Sequence, residues 1–202
     1  MCGRYLITME EEIMEMREIM DEINERYKDS PELAASKTGE IFPTQTAPVL
    51  TAGADKPQAA LMTWGFPKWQ GSGVIINACA ETAPEKKTFR SSLFTHRCVV
   101  PTTGFFEWRQ EDCAKKTKYL FRLPGTKMLY LAGFFNRFTD AHSAYDAYVI
   151  LTTAANPSVS PYHHRMPLVL TPDAIGGWLN DTSFALAQAA QPCGAMLAAA
   201  AV

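Results

Sequence analysis

The chain has 202 residues, 47% of them apolar and 20% charged, with a formal net charge of −2. That length suits one well-packed domain, and the composition excludes a disordered or low-complexity chain. The near-neutral balance excludes a surface coated in cations, although a local basic groove is compatible with it. Five cysteines without a CxxC pair or regular spacing argue against a structural zinc site and a disulfide framework. With no signal peptide and no long uncharged apolar span, the expected location is the reducing cytoplasm.

The chain opens Met1-Cys2-Gly3-Arg4-Tyr5. Once Met1 is removed, Cys2 carries an α-amine and a thiol on neighbouring carbons. The free amine has a reference pKa near 7.7–8.0 and the thiol one near 8.5, so both have a reactive fraction at neutral pH. Such a pair is suited to an aldehyde: the amine condenses to an imine, and the thiol closes onto that carbon as a thiazolidine. Gly3 lets the backbone bend, and Arg4 offers positive charge for a neighbouring anion. A cysteine near a chain start is also commonly a small buried apolar residue, so the rest of the chain has to discriminate.

Thr8 with Glu11 makes a capping box, and Glu10 to Glu12 suit a helix N-terminus. Ile13, Met16, Ile19, Met20, Ile23 and Tyr27 follow at helical spacing, so the pattern predicts a helix opening at Thr8 with one core-facing stripe. Residues 29–40 read as a polar loop. From Ile41 the chain turns to short β-type runs punctuated by Pro and Gly, at 49–51, 59–64, 74–77, 98–101, 105–109, 119–123, 128–135, 148–153 and 168–170. Their spacing predicts an α+β single domain over 1–202, with a mostly antiparallel, β-barrel-like core and flanking helices. Thr171-Pro172-Asp173 opens a short helix running to about Leu179. The alanine-rich tail, 185–202, reads equally as helix or as poorly ordered chain.

Four islands between these runs carry chemistry. Trp64-Gly65-Phe66-Pro67-Lys68-Trp69 is a tryptophan-rich turn, with Trp64 expected in the core and Trp69 as a stacking platform for an unpaired base. Asn77-Ala78-Cys79-Ala80-Glu81-Thr82, followed by Lys86, Lys87 and Arg90, could bind phosphate or be a solvated loop. Gly104-Phe105-Phe106-Glu107-Trp108 sets a carboxylate in an aromatic run. Buried, Glu107 would gain a raised pKa suited to general acid/base work, but strand alternation could equally turn it to solvent. In Pro161-Tyr162-His163-His164-Arg165-Met166-Pro167 the adjacent histidines are expected to point apart and so not to pair on a metal. One of them could shuttle a proton, and Arg165 could bind phosphate.

Together, in this order and over residues 2 to about 180, the islands resemble the SRAP family (SOS response-associated peptidases, abasic-site processing proteins). The resemblance implies recognition of abasic sites in single-stranded DNA and at single-strand–duplex junctions. It implies a thiazolidine crosslink through Cys2, shielding the lesion in the DNA damage response, with Met1 removed by self-processing or by an aminopeptidase, and possible lyase activity. It also implies that Asn77 positions the reacting groups, Glu107 is the acid/base and His163 handles protons. Arg4, Trp69, Lys87, Arg90 and Arg165 would hold DNA, with Thr152 a further candidate. No cofactor or metal is expected, nor any membrane partner, and the expected state is a monomer, nucleoid-associated during damage. The family usually has arginine where this chain has Cys79, which shifts the phosphate load towards Lys87 and Arg90. It often has an acidic residue at the place of His164. Two other readings use the same residues: an N-terminal-nucleophile amidohydrolase of the glutamine amidotransferase type, and a non-covalent single-stranded nucleic-acid-binding module.

Overall fold

In the computed structural model, residues 2–11, 13–111, 116–140 and 143–202 are described. The first half of the chain runs β1 (Arg4–Ile7), α1 (Met14–Arg26), α2 (Pro31–Ala35), β2 (Gly39–Ile41), β3 (Thr46–Thr51), β4 (Gln58–Trp64), β5 (Phe66–Pro67), β6 (Val74–Ile75) and β7 (Asn77–Cys79). It continues with α3 (Lys87–Thr95), β8 (Arg97–Thr102), β9 (Gly104–Gln110), β10 (Lys116–Arg122), β11 (Leu129–Thr139) and β12 (Ala144–Ala154). The last part holds β13 (Arg165–Pro167), β14 (Val169–Leu170), α4 (Ala174–Asn180), α5 (Thr182–Ala190) and β15 (Ala198–Ala201).

The α+β class, dominated by strands, is as expected. Strands β12, β4, β3, β8 and β11 pair in that order, and β11 returns to β12, so five strands close into a barrel. Closure leaves no free edge on that ring. Its pairings are antiparallel except β12 with β4. A second antiparallel sheet runs β15-β10-β9-β1-β2. The two are joined where β8 passes through Thr103 into β9. One apolar core reaches from Cys2 to Leu197. At its centre Trp64 meets Tyr5 edge-on at 5.1 Å and stacks on Tyr148 at 6.5 Å, while the two tyrosine hydroxyls share a hydrogen bond.

Strand β12 has two parallel partners in succession. It pairs with β4 at Thr63 and Trp64, then with β7 at Asn77 to Cys79. Between these the chain leaves the barrel, makes the β5–β6 hairpin and returns. Gly65 makes the exit possible: its φ is +116°, and a Cβ there would lie 2.7 Å from Val74 Cγ2. Trp69 sits in this excursion. Where β12 does not cover β4, helix α1 does. Glu22 accepts from Ala59 N–H, Arg26 donates to Ala59 O, and Tyr27 accepts from Leu61 N–H. These contacts satisfy strand groups that would otherwise be orphaned.

Helix α1 starts later than the sequence pattern predicts. Thr8 does not cap it: both its N–H and its hydroxyl bond to Thr103 Oγ1 at 3.2 Å, a tertiary partner on the neighbouring strand connection. Ile13 precedes the helix with no side-chain cap, and Glu12 lies outside the described residues. The expected loop at 29–40 contains α2, capped by Ser30, and the start of β2. The basic run after the second island is helical: α3 anchors through Phe89 and Leu93, four residues apart on its buried face. The helix expected after Thr171-Pro172-Asp173 is present as α4, but it begins at Ala174, past a turn at Pro172 and Asp173 and without a side-chain cap. The alanine-rich tail is ordered, first as α5 and then as β15 on the edge of β10. Buried Arg97 closes the ends of α3 and α4 by donating to the carbonyls of Leu93, Phe94, Trp178 and Leu179.

Candidate active site

Cys2 lies immediately before β1 and is fully buried. Its thiol donates to Arg4 O at 3.5 Å. Burial, and next the negative charge of Glu107, raise the Cys2 pKa far above its ordinary value, so the thiol rests protonated. Asn77, the first residue of β7, donates from Nδ2 to Cys2 O at 2.8 Å across the gap between the sheets. Its Oδ1 is buried without a hydrogen-bond partner. The amide is therefore aimed at the Cys2 backbone and keeps one acceptor in reserve.

Glu107 sits in β9 and is 2% exposed. Phe105 and Glu107 share the inner face, while Phe106 and Trp108 take the outer one. Desolvation raises the Glu107 pKa, against smaller opposing pulls that include the Trp108 backbone and, least, the charge of His164. So the sequence alternatives resolve to a buried carboxyl, electrostatically coupled to Cys2 on one side and to the histidine turn on the other. Tyr119 lies opposite Glu107 in β10, and Tyr162 packs on Tyr119 at 4.6 Å, bringing the turn at 161–164 over this face.

The histidines are arranged differently from the expectation that they point apart. They sit in a turn, where strand alternation does not apply, and their rings stack at 4.4 Å with 25° between planes. His163 Nδ1 lies 2.9 Å from Arg165 N–H and 3.1 Å from Arg165 O, so the Arg165 backbone can hold the neutral ring in either tautomer. Burial lowers the His163 pKa, a hydrogen bond with the Arg165 backbone pulls it back up in part, and the Arg165 charge adds a smaller lowering. A largely neutral imidazole near pH 7 can both give and take a proton. Among the described residues no group of three or more His, Cys, Asp or Glu side chains is placed to hold a metal.

The other named residues fall in three places. Arg165 is engaged, its guanidinium forming a two-pronged pair with Glu81 at 2.7 and 2.8 Å and also donating to Thr152 O. That pairing holds the Glu81 carboxyl below its usual range. Thr152 is fully buried and donates to Ala78 O, tying β12 to β7. Cys79 pairs with Thr152 in register and is half-buried. Trp64 is fully buried and Trp69 is 98% exposed, as the sequence suggests. Lys87 and Arg90 are exposed on α3, Arg90 over Phe94 at 5.5 Å.

Arg4 lies on the outer face of the second sheet, opposite Phe106 in β9. It pairs with Glu40 at 3.1 Å and lies over Phe42 at 4.3 Å and Trp108 at 5.2 Å. Lys118 shares Glu40 at 2.8 Å and lies over Phe106 at 4.0 Å. Burial pushes Glu40 up, but the bonds from Lys118 and Arg4 outweigh it and hold the carboxyl low. Sequence reading missed this cluster of Phe42, Glu40, Trp108 and Lys118, because only strand register assembles it. A cleft of about 1050 Å³, lined by Met128, Tyr130, Leu168, Phe184 and Met196 among others, holds none of Cys2, Asn77, Glu107 or His163.

Several known proteins are similar to this chain in sequence or in fold. The abasic site processing protein YoqW of Bacillus subtilis is 28% identical over 190 residues, covering 89% of this chain and 80% of that protein. YoaM of Bacillus subtilis, also named an abasic site processing protein, is 31% identical over 147 residues, and YedK of Escherichia coli, so named too, is 30% identical over 118. These alignments cover 69% and 58% of this chain; the chain spans 64% of the length of YoaM and 53% of that of YedK. Among solved structures, a protein from Bacteroides thetaiotaomicron matches with a TM-score of 0.76 at 25% identity, covering 100% of this chain and 92% of that one. A protein from Bordetella bronchiseptica gives the same TM-score at 22% identity, covering 100% and 99%, a likeness of fold. The family model described as SOS response associated peptidase (SRAP) matches residues 1–202, and the chain belongs to that family.

Proposed function

We propose that this chain processes abasic sites by capturing the ring-opened sugar aldehyde of single-stranded DNA on Cys2. The observation that supports this most directly is the hydrogen bond from buried Asn77 to Cys2 O, in a pocket where Glu107 is charge-coupled to the thiol. Water first hydrolyses the Met1–Cys2 peptide bond, releasing methionine and freeing the α-amine. The amine adds to the aldehyde carbon, and the carbinolamine loses water to give an iminium ion, with the protonated Glu107 carboxyl supplying the proton to the departing hydroxyl. The thiol then gives its proton to the Glu107 carboxylate and adds to the iminium carbon. The C=N electron pair passes to nitrogen, leaving a neutral thiazolidine and a reprotonated Glu107.

In this scheme Asn77 fixes the Cys2 backbone, from which both nucleophiles hang. His163 relays protons through its imidazole ring. Alignment of this kind can contribute roughly 7–11 kcal/mol of barrier reduction in favourable cases. Arg4, Trp69, Lys87 and Arg90 supply backbone and base contacts without reading sequence, as a lesion sensor requires. The protein acts as a monomer in the cytoplasm, and ring opening of the same adduct gives it a lyase route.

The test is intact mass spectrometry of the purified protein before and after incubation with an oligonucleotide carrying one abasic site. The expected result is loss of Met1 and a stable covalent adduct, absent in Cys2→Ala. A chain with free Cys2 that forms no adduct overturns the reading.

A further inference from the structure

Arg109 follows Glu107 by two residues in β9, so both side chains project from the same face of the strand, about 7 Å apart along it. Glu107 is buried at the inner end of that line, and Arg109 is exposed at the outer end. The Arg109 guanidinium lies over the Tyr162 ring at 5.8 Å. Tyr162 in turn packs on Tyr119 and Phe121, the strand neighbours of Glu107 and Phe105, and directly precedes His163. Arg109 therefore stands at the exposed end of the strand face that carries Glu107, against the ring that precedes the histidine turn.

The other cations near this pocket are differently placed. The Arg165 fork is taken by Glu81. Arg4 and Lys118 share Glu40 on the opposite face of the sheet. Lys87 and Arg90 belong to α3, which packs on β8 and β11 of the barrel. Among the described residues Arg109 pairs with the Glu111 carboxylate, with 4.0 Å between Nε and Oε2, and the two side chains are 45% and 32% exposed. A pair at that distance and exposure is weak, so little has to be broken for the guanidinium to take a new anion. A planar fork backed by an aromatic ring fits one oxyanion of a phosphodiester.

We infer that Arg109 is a specificity-determining residue that grips the phosphodiester flanking the captured sugar and so sets which stretch of backbone enters the pocket. This rests on the abasic-site reading. It adds a residue that neither sequence islands nor family membership assign.

The experiment measures non-covalent binding of single-stranded oligonucleotides in a Cys2→Ala background, with and without Arg109→Gln, between 50 and 200 mM salt. The probes carry one abasic-site analogue with either ordinary phosphates or neutral methylphosphonates on both sides of it. Losing one phosphate contact reduces the log–log salt slope by about 0.7, so the background variant should lose about 2.5-fold more affinity across that range than Arg109→Gln does. Arg109→Lys should keep the slope, because it keeps the charge. With methylphosphonates flanking the lesion, the difference between the background and Arg109→Gln should vanish. An unchanged slope in Arg109→Gln, or a difference that persists with the methylphosphonate probe, overturns the inference. These readouts need no crosslink, so a failure of Cys2 capture appears separately, as absence of adduct from the wild-type chain.

Discussion

Replacing Glu107 by Gln should make the protein slower and, above mildly acidic pH, more stable. The carboxyl is 2% exposed, and burial raises its pKa from an ordinary 4.5. Between that ordinary value and the raised folded one, the native state holds a proton that the unfolded chain has lost. Native stability therefore falls as pH rises through this window. Glutamine keeps the shape and cannot ionise, so the stability of Glu107→Gln relative to wild type should improve as pH climbs from below 4.5 into the window. The same substitution removes the group assigned to protonate the leaving hydroxyl and to accept the thiol proton. General acid/base catalysis is typically worth 10²–10⁴-fold, about 3–5 kcal/mol at 1.36 kcal/mol per decade. Single-turnover crosslinking with protein in excess, followed from pH 5.5 to 8.5, reads the rate, and urea titrations from pH 3.5 to 8.5 read the stability. A variant within about threefold of wild-type rate throughout would remove Glu107 from the mechanism. A stability difference that does not change with pH would show that the carboxyl is not held in its protonated form.

Two further substitutions separate the pocket from the surface around it. Asn77→Ala leaves Cys2 O without its Nδ2 donor at a buried position, which should cost about 1–3 kcal/mol of stability and slow adduct formation at least tenfold; wild-type values for both in denaturant titration and single-turnover assay would contradict the assigned role. Trp69→Ala removes a side chain that is 98% exposed, so the unfolding free energy should move by less than about 0.5 kcal/mol. Affinity for single-stranded DNA, measured by fluorescence anisotropy, should fall by about 1–3 kcal/mol if a base stacks there. Unchanged affinity would exclude that platform.

Local chemistry was legible in the sequence where the signal is local. The core position of Trp64 and the exposure of Trp69 both follow from residue type and neighbours. The larger strands were legible too, because β-type runs bounded by Gly and Pro survive in the fold. What could not be read depends on partners far along the chain. Thr8 and Glu11 satisfy the capping-box pattern, but Thr103 competes for the threonine from 95 residues away. The basic stretch before Arg90 reads as a phosphate-binding or solvated segment with no helical signal, until Phe89 and Leu93 are seen to bury together. Glu81 and Arg165 are 84 positions apart, and nothing in either island announces that one occupies the other. The burial of Glu107 is similar: alternation gave it a face, and only the Tyr119–Tyr162 contact shows that the face is covered.

The last strand poses a problem of register. Ala198 to Ala201 pair with Arg122 to Tyr119, and all four side chains are the same. In most strands a one-residue slip moves the apolar set to the wrong face and is opposed by the whole pattern. Here a slip exchanges alanine for alanine, so the strand itself carries no memory of its alignment. The alignment comes from its flanks. Val202 N–H reaches Lys118 O at one end. At the other, Leu197 is buried and donates its N–H to Ser158 Oγ, while Asn156 Nδ2 holds the carbonyls of Cys193 and Ala195. Those two side chains belong to the turn that leads into His163. The segment that positions the histidines is thus also the ruler against which the final strand is measured.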